Sequence, residues 1–125
     1  MKKKLAILLW AASPGCPQLC ATPFVHAAAG AALDAEVEIH FAGPSVRLLV
    51  EGVAAGLRPW PGMETSVYDM MRQAANLGVR CLACAMAMKA LVAADEALIP
   101  EYAGTSGASA FVQHALEDEW ATLTF

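Results

Sequence analysis

Charge is what this chain has least of. Only 16% of its 125 residues are Asp, Glu, Lys or Arg, while 58% are hydrophobic; an ordinary globular chain carries about 25% charged residues. The eight Lys and Arg are scattered, apart from the leading Lys2, Lys3 and Lys4, and the net charge is −4. Nucleic-acid binding wants clustered basic side chains, so that class of partner is excluded. No apolar run reaches the roughly 20 residues of a membrane-spanning helix. A P-loop, a dinucleotide-binding glycine fingerprint and a G-x-S-x-G elbow are all missing.

With a mean hydropathy of +0.47, the chain has little polar surface to spare. It either covers much of its exterior with other subunits or meets a membrane, because large bare apolar patches are uncommon on monomers. The one membrane-related candidate is the start, where the lysines precede an apolar run from Leu5 to Ala12. That order resembles a signal peptide, but the run is short and Pro14 before Cys16 fits no cleavage site. The alternative is a buried first strand over Leu5–Trp10, bounded by turn residues as central parallel strands are. On that reading the protein is cytoplasmic and has no membrane partner.

Length favours one domain over residues 1–125, with room for a single core. Along it runs a strand-then-helix rhythm. The loop ASPGCPQLCA is too rich in Pro and Gly for regular structure. Thr22 and Pro23 then read as N-cap and first residue of an Ala-rich helix to about Leu33. Val37, Ile39 and Phe41 alternate with Glu38 and His40, the pattern of a half-exposed strand lying nearer the sheet edge than the first. Gly43 and Pro44 open a short helix to about Gly52, with Leu48, Leu49 and Val53 facing the core. A loop over 54–64 carries Trp60, suited to an interface or to tucking over the sheet. Ser66 and Asp69 form a capping-box pair, followed by Val67, Met70, Met71, Ala74 and Leu77 at helical spacing and Gly78 as the stop. A strand over Val79–Ala83, the helix AMAMKALVA, a loop IPEYAGTSG, a helix over 108–117 and a last strand over Trp120–Phe125 complete the chain. The fold class is therefore α/β: a mostly parallel sheet of about five strands with helices on both faces.

The chemistry on offer is that of thiols. Four cysteines in a chain with its own core do not make a disulfide scaffold. Cys84 falls where a strand gives way to a helix, the place where parallel sheets collect functional groups and where local amides favour a thiolate. It is the candidate catalytic residue. Cys81 completes a C-x-x-C, but from inside a strand, where a small buried hydrophobe is the expected role. Cys16 and Cys20 lie in the loop after the first strand, at the same sheet edge. They are possible auxiliary thiols, as resolving groups or as ligands of zinc or an iron–sulfur cluster with Cys84. No metal or other cofactor is otherwise expected. His26, His40 and His114 lie on three different elements without metal spacing and read as structural. Gly104–Ser109 could offer amides to an anion at a helix start, or be ordinary loop.

The apolar first strand, TPFVHAAAGAALDAEVEIHFAGPSVRLL, the amphipathic helix, GVRCLAC and the closing WATLTF together resemble the DsrE/DsrF/TusD-like, or YchN-like, sulfur-relay family. The resemblance covers nearly the whole chain. It implies a small α/β domain that assembles with itself as trimers or hexamers, or with related chains. It also implies a cysteine that accepts sulfane sulfur as a persulfide from a donor protein and yields it to an acceptor protein thiol. The matching position is Cys84; Cys16 and Cys20 do not carry over from the family. Two other readings stay open from the residues alone: an oligomeric interaction subunit with incidental thiols, and a cysteine-ligated metal or redox module.

Overall fold

The computed structural model describes residues 3–125; Met1 and Lys2, the latter part of the leading lysine triplet, lie outside the described residues. The elements are β1 (Lys4–Leu9), α1 (Thr22–Ala32), β2 (Glu36–Phe41), α2 (Val67–Asn76), β3 (Arg80–Cys84), α3 (Ala85–Leu91), β4 (Tyr102–Ser106), α4 (Ala108–Leu116) and β5 (Trp120–Thr124), with short 3-10 turns at Pro17–Leu19, Gly43–Leu49 and Ala54–Gly56. The five strands lie in the order β4-β3-β2-β1-β5, every neighbour parallel. The expected α/β architecture is therefore the observed one, and all the carboxyl ends of the strands share one edge.

Strand alternation divides the sheet into two unlike faces. Val37, Ile39 and Phe41 turn toward α1, where the Phe24 and Phe41 rings approach to 6.1 Å. That helix lies close to the sheet because Gly30 has no side chain: a Cβ there would stand 3.0 Å from Leu5 and 3.2 Å from Val37. Helix α2 packs beside α1 and buries Val67, Met70, Met71 and Ala74. Its start is the capping box read from the sequence, Ser66 accepting from the Asp69 amide and Asp69 from the Ser66 amide, which satisfies two otherwise orphaned donors. Helix α4 covers the opposite face, with Phe111 and His114 against His40. None of its residues is fully buried.

Five local expectations are corrected. β2 is the central strand, not a strand nearer the edge than β1. Its polar residues suggested solvent, yet Glu38 and His40 are buried at 6% and 3% exposure, because they satisfy each other. Residues 102–106, read as loop, form the edge strand β4. Gly104 there has φ +140 and the pairing with β3 slips between Cys81 and Leu82, irregularities that disguise a short strand. Thr22 is the first helical residue of α1 and Ala21 the N-cap, with no side-chain cap. Finally, Leu77 is exposed beyond the end of α2. Of the two roles open to the loop Trp60, tucking over the sheet is not the one seen, since it is exposed.

The core prediction is direct. Phe41 is fully buried on the central strand, so Phe41→Ala should cost about 3–5 kcal/mol, read as a lowered urea midpoint with an unchanged slope.

Candidate functional site

At the carboxyl edge, β1, β2, β3 and β4 end beneath a cleft of about 620 Å³ between α3 and α4. Leu8, Met86, Leu91, Phe111 and Val112 give it apolar walls, and Cys84, His40 and Ser106 are the reactive groups that line it. Among the described residues, no Lys, Arg, Asp or Glu side chain lines it.

Cys84 reaches the cleft by alternation along β3. Cys81 pairs in register with Ile39, on the α1 face, and is wholly buried in the core. Cys84 is three residues on, so it points to the other face, and it stands in register with Ser106 of β4. It is partly exposed and free, and is the N-cap residue of α3. Two strand residues on opposite faces and roughly 10 Å apart along the strand cannot close a disulfide, whose Cβ atoms must come within about 4.5 Å. The C-x-x-C is thus not a dithiol pair in this fold.

The loop thiols sit elsewhere. Cys20 is buried and its thiol donates to the Ser13 carbonyl at 3.5 Å and the Cys16 carbonyl at 3.6 Å. Cys16 is partly exposed, and neither lines the cleft. Burial pushes the Cys20 thiol up to about 11, with the neighbouring Cys16 adding to it. Burial likewise pushes Cys81 up to about 12. Both are therefore protonated and poorly nucleophilic near neutral pH.

Long-range folding assembles a second group, invisible residue by residue. His40 Nε2 lies 3.0 Å from Glu38 Oε2, and His114 Nε2 lies 3.2 Å from the same oxygen. The Arg80 guanidinium donates to Glu38 Oε1 at 3.3 Å. On the far side of the ring, His40 Nδ1 meets Ser106 Oγ at 3.1 Å. An ionised carboxylate only accepts, so Glu38 fixes the proton of His40 on Nε2 and leaves Nδ1 to accept from the Ser106 hydroxyl. His114 is stacked on Trp120 with centroids 3.7 Å apart. His26 takes no part; it is exposed and bonded at 2.9 Å to the Thr22 carbonyl of its own helix.

Two of these residues were legible as a pair, since Glu38 and His40 share a strand face. Ser106 and His114, 66 and 74 residues from His40 in the chain, were not. Among the described residues, the group whose possible ligand atoms converge within 4.8 Å is Glu38, His40 and His114, with no cysteine in it. Nothing in the geometry gathers Cys16, Cys20 and Cys84 around a metal.

A five-stranded, all-parallel sheet with helices on both faces and a cleft at its carboxyl edge defines the class: small single-domain α/β proteins. Within it, the chain belongs to the DsrE/DsrF-like family, whose model matches residues 3–125. Among solved structures it is similar to the ychN protein from E. coli, with a TM-score of 0.71, 17% identity and full coverage of both chains. It is also similar to MTH1491 from Methanobacterium thermoautotrophicum, a protein of unknown function, with a TM-score of 0.66, 15% identity and 98% of each chain covered. At those identities the likeness speaks for the fold. None of the curated proteins matches the sequence.

Burial lowers the His40 pKa below its ordinary 6.5, against the pull of Glu38. The folded protein therefore binds the proton less readily than the unfolded chain. Stability from this group is present above the unfolded value and falls as pH drops through it. The melting temperature should decline between pH 7.5 and 5.5, and a folded His40→Gln variant should show a flatter decline over the same interval.

Proposed function

We propose that this protein is a sulfur carrier in which Cys84 accepts sulfane sulfur as a persulfide and passes it to an acceptor protein thiol. Membership of the DsrE/DsrF-like family supports that class. The observation that carries the residue assignment is that Cys84, alone of the four thiols, lines the cleft. In the step itself, the Cys84 thiolate attacks the outer sulfur of a donor persulfide. The new S–S bond forms as the donor's S–S bond breaks, and the donor leaves as a thiolate with no net oxidation. Four free cysteines suit a reducing, cytoplasmic setting. Among the described residues, no helix is long and apolar enough to cross a membrane.

The apolar exterior supports a second part of the proposal, assembly with copies of the same chain as a trimer or hexamer. Met86, Val112 and Leu116 are 79%, 51% and 80% exposed on α3 and α4, a cost in water that a subunit interface would remove. The same observation is what favours the interaction-subunit reading, in which the thiol is incidental.

The deciding experiment is intact-mass spectrometry after incubation with polysulfide, or with thiosulfate and a sulfurtransferase. The wild type should gain one or more sulfur atoms, and Cys84→Ser should gain none. Loading of the variant would overturn the assignment, and absence of loading in both would leave the interaction subunit standing. For assembly, size-exclusion at micromolar concentration should show an oligomer, and Leu116→Glu should shift it toward the monomer. A wild type eluting strictly as a monomer would refute that part.

A further inference from the structure

The Cys84 reading leaves the buried polar group on the cleft side of the sheet without a task. We infer that Ser106 is the nucleophile of an acyl-transfer site for esters or thioesters of short apolar acids, with His40 as its general base and Glu38 holding that base. The inference stands independently of sulfur carriage by Cys84.

The hydrogen-bond chain has the order such chemistry requires. Ser106 Oγ lies 3.1 Å from His40 Nδ1, and His40 Nε2 lies 3.0 Å from Glu38 Oε2. The first link places the serine proton on an acceptor, and the second stabilises the imidazolium that forms when the proton arrives. The recognition is by geometry and role, since this constellation recurs on unrelated folds. Glu38 is anchored by Arg80 and His114, so it is a positioning residue that does not touch substrate.

Location agrees with chemistry. Ser106 ends β4, Gly107 is the extended N-cap, and the nine-residue α4 follows. This strand–turn–helix step stands at the carboxyl edge of a parallel sheet, where such sheets bind ligands. The Ala110 and Phe111 amides bond the Gly107 carbonyl, which leaves the Ala108 and Ser109 amides, with no acceptor one turn back within the helix, as donors for the oxygen on which charge develops.

The cleft selects the substrate. Its volume of about 620 Å³ suits a small ligand. Its walls are apolar, and among the described residues no Lys, Arg, Asp or Glu side chain lines it. An anionic tail would lose its hydration there without a counter-charge, whereas a short alkyl chain would gain from burial.

In the reaction, Ser106 Oγ bonds to the carbonyl carbon, the carbonyl π pair moves to its oxygen, and the serine proton passes to His40 Nδ1. Collapse of that adduct breaks the bond to the alkoxide or thiolate, which leaves with the proton from His40. Water then repeats the sequence on the acyl-serine, and Ser106 departs with its proton restored. No oxidant or reductant enters.

The same carboxylate and imidazoles bring three possible ligand atoms within 4.8 Å, so a metal is the competing occupant. Against it, Glu38 and His114 do not line the cleft, and the Arg80 guanidinium already occupies one oxygen of Glu38.

The test treats the full chain with an octyl fluorophosphonate and maps the adduct by peptide mass spectrometry, with p-nitrophenyl butyrate hydrolysis as the turnover readout. The adduct should sit on Ser106 in the wild type and be absent from Ser106→Ala. His40→Gln, checked for folding by thermal melting, should slow labelling by about 10²–10⁴-fold. Glu38→Gln should lower kcat while leaving KM for the butyrate ester nearly unchanged. An unlabelled Ser106 in folded wild type would overturn the inference. So would equal labelling of folded His40→Gln, or a stoichiometric metal that His114→Ala releases.

Discussion

A carboxylate buried in the middle of a parallel sheet must be compensated on every side, and Glu38 sets that condition here. It stands on the central strand at 6% exposure. Leaving it without partners would cost on the order of several kcal/mol. Its partners come from three other places in the chain: His40 from the same strand face, Arg80 from β3, and His114 from α4. Through His40 the network reaches Ser106 at the end of β4. One acidic side chain thus fixes the seat of α4, ties the edge strand's last residue inward, and orients an imidazole toward the cleft.

The two faces of the sheet use different physics as a result. Beneath α1 and α2 the contacts are apolar and close, with Gly30 allowing the helix to approach and Phe24, Ile39, Phe41 and Met71 buried together. Beneath α4 the attachment is polar and aromatic, through His40 with Phe111 and His114 with Trp120. A helix held by a few directed contacts need not be sealed by side-chain packing. Its far end therefore stands off from α3, and the gap between them is the cleft onto which Cys84 opens.

How much could be read from the sequence follows the same division. The apolar face announces itself through periodicity and local capping, so β1, α1, α2 with its Ser66–Asp69 box, and the placing of Cys84 at a strand–helix junction were all legible. The polar face depends on partners far apart in the chain. A Glu and a His two residues apart in a strand look like a solvated face unless one knows that His114 and Arg80 arrive above them. β4 escaped because Gly104 and a slipped register dilute its alternation, and because its order depends on a crossover pinned elsewhere. The Glu51 amide bonds the Ala97 carbonyl, the Ile99 amide bonds the Leu49 carbonyl, and Arg47 pairs with Glu96.

The arrangement of thiols on β3 shows why position outweighs motif. Cys81 and Cys84 spell a familiar redox spacing, yet an odd separation on a strand sends one side chain to each face of the sheet. The inward thiol is desolvated, its pKa pushed to about 12, and cannot compete as a nucleophile. Its outward neighbour lies beside Ser106 in register, on a wall with no carboxylate to repel a thiolate and no lysine or arginine to pair it. Whatever reacts there must be matched to an apolar surround. A sulfur delivered on an uncharged arm, or by the apolar surface of a partner protein, meets that condition; a freely hydrated anion must first give up its water. For the sulfur carriage proposed above, the cleft thus favours delivery by contact over capture from bulk solution, in keeping with the exposed apolar side chains of α3 and α4 that border it.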